Sequence, residues 1–438
     1  MSNENIIIEE LSRRIKESVS PFHTVRYVVD ELKTAGYEEI CLGERWKLKA
    51  GGKYLVKIYD STVAAFSIGE KWDGKNLRMA MAHTDFPCIK LKPSAQIIVN
   101  NYVKCNAEVY GGAILNTWLD RPLSAAGRVV VKSDNIMEPE IKLIDFKEPL
   151  FIIPNLAIHM NRDVNKGVEL NRQKDMLPVI ATLSDIQSEK DDKKKTDYIL
   201  EAIAKAAGTE VSDILNYDLF VYPVEEPSYI GLEKCMFSAG RLDNITSVQA
   251  CVHAMRDSYR EDGINMIVLY DSEEVGSATK QGAGSMAARS VLKRVYENFG
   301  FDNEDFECAI ANAMGLSVDV AHAIHPNSPE KSDITNKLYM NKGFAIKTSA
   351  SERYASDLKV LGAVMQLCRS YGIKCQRYVN RSDMAGGSTL GAIAVENMPI
   401  RMLDIGVPIL AMHSARETMG VHDQLYIENV LARFMSEV

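Results

Sequence analysis

Ile264-Asn265-Met266-Ile267-Val268-Leu269-Tyr270 runs directly into Asp271-Ser272-Glu273-Glu274-Val275-Gly276-Ser277, and the fold turns on what this stretch is. The first part is short, β-branched and bounded by Gly263, which predicts a buried strand rather than a helix. Ligands in an open α/β sheet gather at the carboxyl ends of such strands, where this chain carries two adjacent glutamates. Successive side chains on extended backbone point opposite ways, so one glutamate can take a metal while its neighbour faces a water beside it. The same residues also read as a solvated acidic turn, and the rest of the chain has to decide between the two.

Upstream, apolar residues at helical spacing predict helices over Ile6 to Ser18 and Thr24 to Ala35, with Pro21 between them and Gly36 closing the second. Strands are expected at Tyr54 to Tyr59, Thr62 to Ile68 and Leu77 to Ala82, the last running into His83-Thr84-Asp85. A histidine at a strand end with a carboxylate two residues on is either a metal ligand with its orienting partner or a satisfied core histidine. From about Pro93 the composition changes. Ile97 to Val99, Lys104 to Val109 and Arg128 to Val131 read as strands and Gly111-Gly112 and Arg121-Pro122 as turns, with no clear crossover helix, so the expectation is an antiparallel β-rich insert. His159 lies in its loop-like Pro154 to Met160. Ser188 to Lys195 reads as a solvated loop and Asp197 to Ala207 as a helix ended by Gly208.

Downstream, α/β patterning resumes near Phe237. Arg241-Leu242-Asp243-Asn244 precedes an amphipathic run, Ile245 to Tyr259, so Asp243 and Asn244 stand at a helix N-terminus, where both residue types also serve as caps. A helix over Ser285 to Asn298 follows. The runs Ala309 to Met314 and Leu316 to Val320 lead through Asp319 to His322 and His325. A long helix is expected over Arg353 to Tyr371, stopped by Gly372, then a strand over Lys374 to Val379 and a turn, Ala385-Gly386-Gly387-Ser388. The last strands are Arg401 to Ile405 and Pro408 to Met412, the second ending at His413.

At 438 residues the chain should hold two or so domains, and its 46% hydrophobic and 25% charged content are those of a soluble globular protein. A net charge of −8 argues against nucleic acid or an anionic membrane as main partner. The first residues lack signal-peptide character and no apolar run is long enough to span a bilayer, which predicts a cytoplasmic protein. Eight scattered cysteines without a C-x-x-C pair fit reduced thiols used in packing.

Five potential ligands thus stand at element ends: His83, Asp243, Glu274, Asp319 and His413. Imidazole and carboxylate are the donors of catalytic zinc, and two histidines with three carboxylates suit a pair of ions if one carboxylate bridges. Such ions lie roughly 3.5 to 4 Å apart, clamping a hydrolytic water and polarising a carbonyl. H-E-x-x-H, G-x-S-x-G, the Walker loop and the dinucleotide fingerprint are absent from the sequence.

His83-Thr84-Asp85, Arg241-Leu242-Asp243-Asn244, Ser272 to Ser277, Ser317 to Ala323 and Ala411-Met412-His413-Ser414 resemble, in order and spacing, the motifs of the aspartyl and vacuolar aminopeptidases. Ile324-His325-Pro326-Asn327 and Arg353-Tyr354-Ala355-Ser356 fit as well. The resemblance implies an α/β zinc-exopeptidase core, a mixed sheet flanked by helices, over residues 1–92 and 236–438, with an inserted β-rich dimerisation domain at 93–235. It implies two zinc ions per chain: Asp243 bridging, His83 and Asp319 completing one site, Glu274 and His413 the other. Asp85 would orient His83, and Glu273 would be the general base. His159, reaching a neighbouring subunit's site, His325 and Lys347 would contact the substrate peptide, within a tetrahedral dodecamer built from dimers. Lys347 matches a lysine of the aspartyl branch, which favours acidic N-terminal residues slightly over neutral ones; it also reads as a strand-end lysine snorkelling to solvent. Relatives often carry tyrosine and histidine where this chain has Ser328 and Ser332, which leaves substrate preference open. The other readings are a related dizinc amidohydrolase or carboxypeptidase, and a shell-forming scaffold whose catalysis has lapsed.

Overall fold

A computed structural model describes residues 3–183, 197–384 and 386–437; the charge run at 188–195 lies outside them. The chain forms two compact units. One comprises Met1–Phe86, Pro227–Met412 and Glu417–Val438, the other Pro87–Glu226 and His413–Arg416.

The first unit is built on a nine-stranded mixed sheet. Its spatial order is Glu38–Glu39, Lys53–Ile58, Thr62–Ile68, Ile264–Tyr270, Leu77–His83, Met314–Val318, Arg401–Gly406, Phe344–Lys347 and Cys375–Tyr378. Ile264–Tyr270 is buried along its whole length because both faces of the sheet are covered. Ile267 and Leu269 pack with helices Asn3–Glu17, Pro21–Thr34, Leu242–Asp257, Leu358–Tyr371 and Val421–Ser436. Ile264, Met266, Val268 and Tyr270 pack on the other side, against Ala287–Asn298, Asn303–Asn312 and Leu390–Asn397. Alternation survives as a choice of core, with apolar residues on both faces, each fully buried aliphatic side chain contributing about 1.5–3 kcal/mol. A five-stranded sheet also belongs to this unit, ordered Ser228–Ile230, Met236–Ala239, Glu417–Gly420, Pro408–Leu410, Ala321–His322.

The second unit is an antiparallel six-stranded sheet, ordered Glu140–Asp145, Leu123–Val131, Ile214–Pro223, Cys88–Val99, Tyr102–Tyr110, Val179–Thr182. Its helix Tyr198–Ala207 is capped by the Asp197 side chain and closed by Gly208 in the left-handed region. The composition shift at Pro93 falls inside the continuous strand Cys88–Val99, so the unit begins before it. At the other end, Ser228–Ile230 pairs with Met236–Ala239 in a sheet of the first unit, so residues 227–235 go with the core.

Several elements differ from the sequence reading. Arg353 to Asp357 is not helical. Asp357 caps the helix that follows, accepting from the amides of Lys359 and Val360, and Ala355 instead donates its amide to Asp404. Leu242–Asp257 is buried from Leu242 to Met255 rather than amphipathic, because it lies between the sheet and other helices. Cys41 and Cys308 are exposed rather than packed, while Cys88, Cys105, Cys251 and Cys368 are buried. No described helix is long and apolar enough to cross a membrane.

Gly406 fixes one close approach. A Cβ there would lie 1.4 Å from the carbonyl oxygen of Asp319, which no rotamer change relieves. Gly406→Ala should therefore cost on the order of 3 kcal/mol and lower the melting temperature by several degrees. An unchanged thermal unfolding curve would show that this backbone yields without cost.

Candidate metal centre

Three parallel strands place their carboxyl ends together. His83 pairs opposite Tyr270, and Met314–Val318 runs parallel along the other edge of Leu77–His83. The segments leaving those ends carry His83 to Asp85, Asp271 to Glu274, and Asp319. A fourth chemical group arrives from the helix Leu242–Asp257, whose first residues, Asp243 (φ −79, ψ 104) and Asn244 (φ −123, ψ 29), are not helical and are joined by a cis peptide bond. The Asp243 amide donates to Glu417 Oε2 at 3.1 Å, and Asn244 Nδ2 donates to the Val318 carbonyl at 3.0 Å.

His83 is the hub. Its Nε2 lies 3.3 Å from Asp243 Oδ1 and 3.6 Å from Asp319 Oδ1. On the other ring nitrogen, Nδ1 is 3.0 Å from the Asp85 carbonyl oxygen and 3.5 Å from Asp85 Oδ1. The ring is thus oriented from its Nδ1 side, leaving Nε2 toward the carboxylates. Asp85 also organises the glutamates: its Oδ1 accepts from the Glu273 amide and its Oδ2 from the Glu274 amide, each at 3.1 Å. Those two residues lie in a 3-10 turn, Glu273–Val275, entered through Ser272 in the left-handed region. The extended backbone expected here is absent because the strand ends at Tyr270 and the turn amides are taken up by Asp85.

Among the described residues of the first unit, His83 groups with Asp243 and Asp319, and again with Glu273 and Glu274, the donor atoms of each group lying within 4.8 Å of one another. Lys347 is buried, with 2% of its surface exposed, and its Nζ is 3.6 Å from Asp319 Oδ2 and 5.4 Å from the centre of the Tyr354 ring. Snorkelling to solvent is therefore overturned; the strand is buried throughout and Asp319 holds the ammonium inside. His325 is exposed, its Nδ1 accepting from the Asn327 amide at 3.2 Å. His159 is exposed in the other unit. His413 also groups with that unit, with left-handed backbone and Nδ1 3.2 Å from the Gly112 carbonyl oxygen.

The charges show what such a cluster is suited to hold. Burial pushes Glu273 up to about 8; His83 opposes this, while Asp319, Asp85 and Asp243 add to it by repulsion. Burial also disfavours the charged form of His83, but Asp243, Asp319 and Asp85 outweigh it and raise its pKa well above the ordinary imidazole value. Like charges taken out of water beside one imidazole match a divalent cation, and nitrogen with carboxylate oxygen is a donor set of zinc. Three contributors escaped the sequence reading. Glu417 holds the Asp243 amide. Asp271, pushed up to about 6 by burial and then Asp85, accepts from Ser272 and Gln281. Asp404 is buried in mid-strand. A charge inside the apolar run Arg401 to Ile405 was the available signal for the last.

The sequence pattern of the M18 family, described as aminopeptidase I zinc metalloprotease, matches residues 14–435. A probable M18 family aminopeptidase 2 of Clostridium novyi is 42% identical over 99% of both chains. Among solved structures, a chain of the Ape4 and Nbr1 complex superposes with a TM-score of 0.95 at 28% identity, covering 99% of this chain and 86% of its own. The mApe1 dodecamer of S. cerevisiae gives 0.84 at 26%, covering 99% and 97%.

Glu273 links the site to stability. Unfolded, it ionises near its ordinary 4.5; in the metal-free fold it keeps its proton up to about 8. Between those values the folded state binds the extra proton, so this residue's contribution to stability falls as pH rises. Metal-free Glu273→Gln escapes that loss, and its melting temperature should pull ahead of metal-free wild type as the pH goes from about 5.5 to about 8. A gap that stays constant with pH would mean that Glu273 titrates normally.

Proposed function

The chain belongs to the M18 family and is a zinc-dependent aminopeptidase, and from that premise we propose that it binds two zinc ions and uses Glu273 as general base. His83, Asp243 and Asp319 would hold one ion and Asp243, Glu274 and His413 the other, with Asp243 shared. The observation that carries this reading is the convergence of His83, Asp243 and Asp319, with Glu273 and Glu274 beside the same imidazole. Zinc bound there supplies a Lewis acid for the scissile carbonyl and makes nearby water more acidic. Glu273, held by Asp85 through its amide, takes the proton from the attacking water and delivers it to the leaving amine. Its elevated pKa in the absence of metal reflects burial first and repulsion from Asp319, Asp85 and Asp243 second; a bound cation opposes both and returns the carboxylate to its basic form.

Peptides are the substrates, with an acidic N-terminal residue slightly favoured and a neutral one accepted. Lys347 is the cation available for an acidic side chain, but it already faces Asp319, which keeps the preference modest. His325 and His159 would contact substrate, His159 from the inserted unit of a neighbouring subunit. The inserted unit would serve dimerisation on the way to a dodecamer, the state that the solved mApe1 relative shows. A cytoplasmic location belongs to the same reading.

Zinc analysis and peptide hydrolysis on one preparation test the chemistry. Glu273→Gln should keep its zinc and lose about 10² to 10⁴ in turnover, whereas Asp243→Ala should lose zinc from both positions. Two ions retained in Asp243→Ala would remove the bridging assignment, and near-normal turnover in Glu273→Gln would move the base elsewhere.

Substrate preference is read separately, with aspartyl, glutamyl and leucyl peptides on wild type and Lys347→Met. Selective loss of the acidic peptides is expected. An equal loss on leucyl peptides would leave Lys347 with no part in selecting the side chain.

A further inference from the structure

Asp404 is a buried carboxylate whose hydrogen bonds from Ala355 and Thr389 both fall on one oxygen, Oδ2. It lies in mid-strand in Arg401–Gly406, fully inaccessible, opposite Ser317 of Met314–Val318. Its Oδ2 accepts from the Ala355 amide at 2.6 Å and from Thr389 Oγ1 at 2.8 Å, and its own amide donates to the Ala355 carbonyl at 2.8 Å. An asparagine carbonyl would satisfy both donors equally well, so these bonds leave the negative charge unexplained, and a buried charge without a partner is costly. Strand Phe344–Lys347 runs antiparallel beside Arg401–Gly406 with Ile346 opposite Ile405, so the next step of that register sets Lys347 beside Asp404. Burial works against the Lys347 charge, while Asp319 and then Asp404 favour it.

Asp319 is therefore shared. One of its oxygens is 3.6 Å from Lys347 Nζ and the other 3.6 Å from His83 Nε2. A cation held wholly by Asp319 would compete with a metal for that carboxylate and repel the metal as well. We propose that Asp404 is a positioning residue for the metal centre: by taking part of the Lys347 charge, it keeps Asp319 available as a ligand. The inference rests on the zinc-site reading above.

A double-mutant cycle read as zinc retention tests it. Zinc-loaded wild type, Asp404→Asn, Lys347→Met and the double variant are each titrated with a chelator, and the concentration removing half the zinc is measured. Asp404→Asn should lower that concentration about tenfold when Lys347 is present and less than about twofold in the Lys347→Met background, where no cation remains to be misdirected. An equal loss in both backgrounds would reduce Asp404 to an anchor for the Tyr354–Ala355 segment and overturn the proposal. No loss in either background would overturn it too. Asp319→Asn, measured alongside, separates the premises. If zinc retention does not depend on Asp319, the metal-site reading itself fails; if it does and the cycle shows no coupling, only the role of Asp404 falls.

Discussion

Carboxylates gathered around one buried imidazole are the constraint that the rest of the first unit serves. Asp85, Asp243 and Asp319 are all turned on His83, with Glu273 beside them, and none is fully hydrated. Holding ions of one sign together out of water costs several kcal/mol per ion unless opposite charge and hydrogen bonds offset it. The protein offsets part of it with backbone amides, from Glu273 and Glu274 to Asp85, and part with the ammonium of Lys347. The remainder is stored as affinity for a cation.

That arrangement needs rigid supports, and the sheet supplies them. Ile264–Tyr270 is locked between two neighbours and packed by both cores, so the turn bearing the glutamates starts from a fixed point. Glu417 extends the same tactic outward, using a buried negative charge to hold the backbone amide of Asp243, itself a candidate ligand. The acidic groups thus form layers, with the outer members setting the geometry of the inner ones.

The central strands were readable because a sheet covered on both faces leaves an unbroken apolar run, as at Ile264–Tyr270. The metal-ligand candidates were readable because strand ends expose the residues that follow, although only the resemblance to a family selected them from many histidines and acids. What escaped was decided by contacts distant in sequence. Glu417 has no local mark that it reaches Asp243. The helix expected from Arg353 begins only at Leu358, because Ala355 bonds to a strand residue nearly fifty positions away. Asn303–Asn312 buries only Phe306, Ala309 and Ile310, too short a stripe to mark a helical period, and Val421–Ser436 is buried on more than one side, which blurs its period. Strand Ile214–Pro223 of the insert carries polar residues in its first half and gave no strong alternation.

The order of the large sheet also has a consequence for how the chain is made. Thr62–Ile68 and Leu77–His83 are close in sequence but do not pair; Ile264–Tyr270 slots between them. During synthesis both strands leave the ribosome with an apolar edge open, and the entire inserted unit is translated before their common partner exists. At roughly 5–20 residues per second that interval is on the order of ten seconds or more. The architecture that gives the carboxylate cluster its fixed walls therefore leaves the nascent protein with two adhesive strand edges exposed until their common partner is made.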